Sequence, residues 1–303
     1  MKKLLGIALA SAAAGLCLSA LKKASDEQTV ELSPVKRSSP NKKAILVVSF
    51  GTSYAQTREK TIGAIEEDFR SAFPEYTIRR AFTSKMIIKK LRERDGIEVD
   101  TVAQALEKLE AEGYSTVICQ PTHVMGGFEF DDVKREVENW KGRFDHIACG
   151  WPLLTSSEDY EQVTEALVQE FSNIPSDAAL VLMGHGTEHP ANATYPALDY
   201  RLKARGCKNF FVGTVEGYPD LQTVMQEVAA IHASKVFLAP LMVVAGDHAI
   251  NDLCGEEDSW KSCFEQAGYQ TEPILKGLGE YPAFRRIYLE HCVQCIQSLE
   301  SEQ

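Results

Sequence analysis

Short apolar segments that alternate with amphipathic helical segments run through most of this chain of 303 residues. This alternation is typical of a parallel α/β sheet, because a crossover helix must return the chain to the same end of the sheet before the next strand. The hydrophobic fraction of 44% is enough to bury the core of such a fold. We predict strands at Ala44–Phe50, Tyr76–Phe82, Thr116–Pro121, His146–Gly150, Ala178–Met183, Asn209–Thr214, Lys235–Pro240 and Thr271–Ile274.

The two halves of this region resemble each other. The clearest match aligns Cys119–Glu129 with Leu238–His248, and it places Pro121 on Pro240 and Gly127 on Gly246. We therefore predict two similar lobes, each a parallel sheet flanked by helices, at residues 43–155 and 156–303. A cleft between two such lobes is a usual place for a small-molecule site.

Three residues of the second half can carry metal chemistry. His185, Glu216 and His248 each follow a short apolar run, so we expect all three at the carboxyl edge of one sheet. Two imidazoles and a carboxylate in one place can bind a divalent transition metal. The strand before Glu216 should be buried, so we expect its carboxylate to be buried and compensated by a metal, a cation or a proton. A core histidine, a helix-capping glutamate and a surface-loop histidine remain the structural alternatives.

The first half lacks this triad, because Phe50, Lys85 and Glu129 align with its three positions. We therefore expect one lobe to hold the metal and the other to form the opposite wall of the cleft. His123 ends a strand of the first half and is a candidate proton acceptor or secondary ligand, with a structural role as the alternative. The predicted substrate-binding residues are Phe50, Gly51, Thr52, Ser53, Lys85, His123, Gly186 and Thr187.

Two features of that set explain the choice. Phe50–Ser53 precedes a predicted helix, whose amino terminus favours an anion such as a carboxylate, and Lys85 can hold another. Gly184 and Gly186 flank His185 and let the backbone adopt unusual angles beside a large ligand.

Several function classes are excluded by what the sequence lacks. No P-loop and no G-x-G-x-x-G occurs, so a nucleotide cofactor is not expected. No G-x-S-x-G marks a nucleophilic hydrolase. The net charge of -11 argues against nucleic acid as a partner.

The amino terminus has the pattern of a secretory signal peptide. Basic residues at Lys2 and Lys3 precede an uncharged run, Leu4–Leu21. We assign residues 1–24 to a signal peptide and 25–42 to a polar linker, which predicts a periplasmic protein. An uncleaved membrane anchor, or a lipid on Cys17, is the alternative.

Seven cysteines would remain after cleavage, an odd number with no regular spacing, so a disulfide framework is not predicted. Cys292 and Cys295 form a single C-x-x-C on a predicted terminal helix. A disulfide or two free thiols is the simpler interpretation, and a redox or metal role is the alternative.

The chain resembles the anaerobic sirohydrochlorin cobaltochelatases of the CbiK type from about residue 42 to its end. The residues that carry the resemblance are Ser49-Phe50-Gly51-Thr52-Ser53, Gly184-His185-Gly186-Thr187, Thr214-Val215-Glu216-Gly217-Tyr218-Pro219 and Pro240-Leu241-Met242-Val243-Val244-Ala245-Gly246-Asp247-His248. The resemblance implies the type II chelatase fold and insertion of Co²⁺ into sirohydrochlorin, on the anaerobic route to cobalamin. It also implies that the family's metal-binding His, Glu and His correspond to His185, Glu216 and His248.

The export signal leaves other functions open. Fe²⁺ can occupy the same ligands, since affinity order alone does not select cobalt. An envelope protein that binds or transports haem, tetrapyrrole or iron on a chelatase fold is the alternative to the enzyme, and an unrelated solute-binding protein is a third. A homo-oligomer is also possible. His185 is expected to serve as metal ligand and as catalytic base, because a neutral imidazole suits both roles.

Overall fold

Two four-stranded parallel sheets form the framework of the molecule. A computed structural model describes residues 41–301, which fall within a compact unit, Ser39–Gln303. The first sheet has the order β2-β1-β3-β4 and the second the order β6-β5-β7-β8. The strands are β1 Lys43–Ser49, β2 Tyr76–Phe82, β3 Thr116–Pro121, β4 His146–Cys149, β5 Ala179–Gly184, β6 Phe210–Thr214, β7 Lys235–Pro240 and β8 Gln270–Pro273.

The predicted fold class is confirmed, and each predicted strand lies within one residue of the observed one at both ends. The two sheets share one strand order, so the lobes are similar in structure. Helices connect the strands on both sides of each sheet. They are α1 Ala55–Arg58, α2 Ala64–Ala72, α3 Lys85–Lys90, α4 Val102–Ala111, α5 Phe128–Asn139, α6 Ser157–Glu170, α7 Thr194–Ala204, α8 Leu221–Ala230, α9 Asp247–Ile250, α10 Trp260–Gln266 and α11 Pro282–Ser301.

Alternating side chains of the central strands pack into different cores. On β1, Ile45 and Val47 enter a large cluster that the two lobes share, whereas Ala44, Leu46 and Val48 pack on the other face of the first sheet. This follows from the two-residue period of a strand. Because both faces of β1 are buried, the strand is apolar throughout, as expected for a parallel sheet covered on both sides.

The final helix, α11, packs against β3 and β4 of the first sheet although its sequence follows the second. Its buried Tyr288 donates a hydrogen bond to the carbonyl of Thr122, at 3.0 Å. His291 of the same helix lies 2.8 Å from the Asp159 carboxylate on α6, and both side chains are buried. The chain from 156 to 303 therefore contributes a helix to the packing of the first lobe.

The seven cysteines of the described part of the chain are free thiols. Cys292 and Cys295 are buried on α11, and burial raises the pKa of the Cys295 thiol to about 11. Such thiols are protonated at neutral pH and poorly reactive, so the structure favours two free thiols over a redox pair.

No helix between residues 41 and 301 is long and apolar enough to cross a membrane. The predicted signal peptide, its anchor and lipid alternatives, and most of the linker lie outside the described residues.

Candidate metal centre and tetrapyrrole cleft

The three predicted metal ligands lie together at the carboxyl edge of the second sheet. His185 directly follows β5, Glu216 is two residues past β6, and His248 lies in α9 after β7. The rings of His185 and His248 have centroids 4.5 Å apart and are nearly perpendicular. Glu216 Oε2 is 3.9 Å from His185 Nδ1. The sheet edge thus brings two imidazoles and a carboxylate into one small region.

Hydrogen bonds fix the orientation of both imidazoles. His185 Nδ1 lies 2.8 Å from the carbonyl oxygen of Gly186, and His248 Nδ1 lies 2.6 Å from Asp252 Oδ2. A carbonyl or a carboxylate can only accept, so Nδ1 donates in both rings and Nε2 stays free for a metal. Asp252 is therefore the residue that orients the His248 ring.

The ligand side chains are open to solvent rather than enclosed. The exposed fractions of the His185, Glu216 and His248 side chains are 44%, 61% and 38%. The expectation that Glu216 is buried is wrong, because it lies in the turn beyond β6 and not in the strand itself. Its closest approach is to Nδ1 of His185, so its side chain must turn to join a metal on Nε2.

Consistent with this, no three His, Cys, Asp or Glu side chains among residues 41–301 form a ready-made metal cage. Open, movable ligands suit a metal that has to leave again. A closed four-ligand site would instead retain the ion.

Glycine is required beside His185. Gly186 has a φ of +83°, and Gly51 occupies the equivalent place in the first lobe with a φ of +99°. A Cβ on Gly186 would lie 2.6 Å from the backbone nitrogen of Gly217 and 2.8 Å from the carbonyl carbon of Glu216. The glycine therefore allows the His185 and Glu216 segments to approach each other closely.

A cavity of about 740 Å³ extends from these ligands to the carboxyl edge of the first sheet. This volume lies in the range of small-molecule sites. Apart from Lys85, every predicted site residue lines it: Phe50, Gly51, Thr52, Ser53, His123, His185, Gly186, Thr187, Glu216 and His248.

Lys85 does not line the cleft, and the register of the strands explains why. Ser49 pairs with Phe82 in the first sheet, and Gly184 pairs with Thr214 in the second. Ser49 and Gly184 are equivalent positions of the two lobes, so Phe82 corresponds to Thr214. Two residues further along the chain, the residue that corresponds to Glu216 is therefore Ser84 and not Lys85. Lys85 is exposed at the start of α3, whereas the next residues, Met86 and Ile87, face the cleft.

The lining is apolar and acidic. Phe50, Met86 and Phe128 expose large apolar surfaces there, which suits the faces of a flat macrocycle. Of the described residues that line the cleft, none is lysine or arginine, and four carry carboxylates: Glu129, Glu188, Glu216 and Asp247. Such a lining favours a divalent cation and repels the carboxylates of an anionic ligand.

Side-chain contacts, among them one between His189 Nε2 and Asp131 Oδ2 at 3.3 Å, cross the cleft between the lobes. Tyr54 Oη donates to Asp247 Oδ1 at 2.5 Å, and this hydrogen bond raises the pKa of Tyr54. On the other side, the rings of Phe128 and His189 are 4.9 Å apart. Sequence reasoning missed Tyr54 and Phe128, because neither position shows what lies across from it.

The loop Phe50–Ser53 was predicted to bind an anion at a helix amino terminus. The helix that follows begins as α1 and continues through a π-helical stretch, Glu59–Gly63, into α2. Arg58 donates to the Thr52 carbonyl at 3.2 Å, and Arg94 donates to the carbonyl of Ser53. The loop is thus supported from behind by guanidinium groups, and anion binding by it stays a prediction.

His123 lies on the first-lobe side of the cleft. Both of its ring nitrogens are buried without a hydrogen-bond partner. Burial lowers the pKa of His123 to about 4, and nearby Glu129 acts in the opposite direction. The ring is therefore a neutral imidazole at physiological pH.

Comparison with known proteins agrees with this geometry. Residues 43–297 match the family model described as cobalt chelatase (CbiK). The sirohydrochlorin cobaltochelatase of Salmonella typhimurium (strain LT2) is 44% identical over 262 residues, which cover 86% of this chain and 99% of that protein. The sirohydrochlorin cobaltochelatase CbiKC of Nitratidesulfovibrio vulgaris (strain Hildenborough) is 34% identical over 276 residues, covering 89% and 96%.

A solved structure shares the fold at much lower identity. SirB from Bacillus subtilis with Fe³⁺ superposes with a TM-score of 0.60 at 15% identity, covering 86% of this chain and 98% of that one. The family match and the two relatives span nearly all of the described residues. The chain therefore belongs to the CbiK family of cobalt chelatases.

Proposed function

We propose that this protein is a metal chelatase that inserts Co²⁺ into sirohydrochlorin. The observation that carries the proposal is the convergence of His185, Glu216 and His248 on one wall of a largely apolar cleft of about 740 Å³. The names of the two relatives, both sirohydrochlorin cobaltochelatases, supply the substrate and the metal.

The ligand set suits a metal that is a substrate. Nε2 of both histidines is free, because each Nδ1 donates to an oxygen. The exposed Glu216 can add a third ligand and leave again. Few, exchangeable ligands keep coordination positions open for the pyrrole nitrogens of the macrocycle.

His185 also serves as a base. When the macrocycle takes the metal, Nε2 of His185 becomes free and can accept a pyrrole proton, since an imidazole is suited to proton transfer near neutral pH. The apolar residues Phe50, Met86 and Phe128 hold the faces of the ring. Insertion exchanges one divalent cation for two protons.

Anaerobic absorbance spectroscopy tests this proposal. The protein is mixed with sirohydrochlorin and Co²⁺ or Fe²⁺, and the rate is compared with that of a protein-free sample. We expect many turnovers with Co²⁺ for the wild type and none for His185→Ala. A spectral shift that saturates at one equivalent without turnover would instead identify a tetrapyrrole carrier. The insertion rates with Co²⁺ and with Fe²⁺ are then compared to show which metal is preferred, because the same ligands accept both ions.

We further propose export to the periplasm, which rests on the sequence of residues 1–24 alone. Amino-terminal sequencing of the protein recovered from a periplasmic fraction tests this. An intact Met1 in a cytoplasmic fraction would contradict it.

A further inference from the structure

His123 is an unpaired imidazole in the wall of the cleft. Neither ring nitrogen has a hydrogen-bond partner, and both are shielded from solvent. The residue as a whole is only partly buried and lines the cavity, so the part that faces the cleft is not its nitrogens. Buried polar groups in proteins are almost always paired. An orphaned imidazole beside a ligand cleft therefore needs an explanation.

A loosely held loop is not that explanation. The carbonyl of His123 accepts hydrogen bonds from Leu153 N at 2.9 Å and from Tyr288 Oη at 3.2 Å. Thr122 N donates to the Val48 carbonyl at 2.8 Å. These partners come from β1, the segment after β4, and α11, so the backbone is fixed on several sides. The ring is presented to the cleft by a rigid frame.

His123 and the metal ligands belong to opposite walls. His123 follows β3 of the first sheet, whereas His185, Glu216 and His248 follow strands of the second sheet. The same cavity reaches all four residues. A flat macrocycle between the lobes would therefore turn one face to the metal ligands and the other to His123.

The charge state of His123 fits a proton acceptor. Burial lowers its pKa to about 4, so the ring is free of a proton before the reaction. Glu129 is the charged group that acts on the ring in the opposite direction, favouring the imidazolium once a proton arrives. The low pKa makes the covered ring a weak base in the free protein, so it returns any proton that it accepts to water readily.

We propose that His123 is a catalytic residue that accepts one of the two pyrrole protons, on the face of the macrocycle opposite to the metal ligands. This inference rests on the proposed chelatase function. As the metal enters from the second lobe, one pyrrole N–H bond breaks, its electron pair stays on the pyrrole nitrogen and forms the bond to the metal, and the proton moves to His123. The second proton goes to His185, which has just released the metal. Both imidazolium groups then lose their protons to water.

The proposal requires the ring to turn when the macrocycle binds, because both nitrogens are covered in the free protein. The proposal also predicts that one substitution lowers turnover without lowering stability. Replacing His123 with phenylalanine removes an unsatisfied polar group, so stability should be unchanged or higher, while turnover falls.

The test compares His123→Phe and His123→Ala with the wild type in the anaerobic insertion assay. We expect kcat to fall about 100-fold or more in both variants, with KM for Co²⁺ and for sirohydrochlorin within about twofold of wild type and the melting temperature of His123→Phe not lowered. Free imidazole should restore part of the rate of His123→Ala, which a merely structural role would not produce. His232→Asn is the matched control, because His232 is exposed in the turn before β7, at the opposite end of the sheet from the cleft.

A kcat in both variants within tenfold of wild type would overturn the proposal, as would a rise in KM that accounts for the whole loss. So would a loss in His123→Ala that imidazole leaves unchanged. If the wild-type protein shows no turnover, the proposed chelatase function itself fails. That result differs from a failure of the His123 proposal, in which the wild type is active and the variants are equally active.

Discussion

The hydrogen bond between Asp252 and His248 offers a quantitative test of the proposed metal site. Asp252 Oδ2 accepts from His248 Nδ1 at 2.6 Å, a distance typical of a charge-assisted bond. Asp252→Asn keeps the size of the side chain and removes its charge. A partner of this kind orients the ring and raises its basicity as a ligand.

The size of the effect follows from the exposure of the pair. Loss of such a partner typically lowers metal affinity by about 10-fold to 100-fold. The Asp252 side chain is 39% exposed, so solvent screens its charge. We therefore expect the lower end, an increase of about tenfold in the dissociation constant for Co²⁺, equivalent to about 1.4 kcal/mol.

The assay is anaerobic titration calorimetry with Co²⁺ in the absence of macrocycle, followed by steady-state insertion. KM for Co²⁺ should rise by the same factor, with kcat at saturating metal within about twofold. Asp258→Asn is the matched control, because Asp258 is exposed nearby in the chain, its φ of +52° suits asparagine, and the charge change is the same. The reasoning is refuted if Asp252→Asn binds Co²⁺ as tightly as wild type, or if the control loses as much affinity.

Two further substitutions test the frame around the site. Burial acts to raise the pKa of Asp159, but hydrogen bonds, chiefly from His291, outweigh it and leave the pKa below its ordinary value. The stabilisation is therefore complete above the ordinary pKa of about 3.9 and is lost as pH falls through the lower folded value. Asp159→Asn should cost about 2 to 3 kcal/mol of unfolding free energy at pH 7, the size expected for hydrogen bonds to a charged group. Denaturant titration should show this difference shrinking as pH falls below the ordinary carboxyl pKa of about 3.9. A difference independent of pH would contradict the assignment. Gly186→Ala should abolish insertion, because the new Cβ pushes against the Glu216 segment. Gly96→Ala carries the same left-handed strain at a φ of +65° with nothing within 4 Å, so it should cost about 1 kcal/mol of stability and no activity; equal loss of activity in both would refute the steric explanation.

The positions of the strands were the part of the fold most accessible from the sequence, whereas their order within each sheet is known from the structure alone. Strands buried on both faces are apolar throughout, as in β1 and β5, so their ends are marked where polar residues resume. The packing of α11 on the first sheet was not accessible in this way. Its partners lie more than 100 residues away in the chain, as the contact between Tyr288 and Thr122 shows, and no local pattern encodes such a contact.

Sequence reasoning likewise predicted one part of the candidate site and missed another. The positions of His185, Glu216 and His248 followed from strand ends alone, since the carboxyl ends of parallel strands meet at one edge. The exposure of Glu216 did not follow, because two residues of turn separate it from the buried strand. Lys85 was misplaced because a one-residue slip in aligning the two lobes can be corrected only by the pairing of Ser49 with Phe82.

The unpaired state of His123 could not be predicted either. It depends on which atoms surround the ring after Leu153 and Tyr288 have fixed its backbone. A sequence shows that a histidine follows a strand, but it does not show whether its nitrogens find partners.

The central claim is that the ion held by His185, Glu216 and His248 is the one passed to the macrocycle. A single-turnover experiment tests it most directly: protein preloaded with one equivalent of Co²⁺ is mixed anaerobically with sirohydrochlorin and an excess of a strong chelator, and the metallated spectrum is followed. We predict that most of the bound Co²⁺ appears in the macrocycle despite the chelator, and that Glu216→Gln and His185→Ala lose this protection. If the chelator captures the metal from the wild type before any insertion, the three residues do not deliver the ion and the account is contradicted.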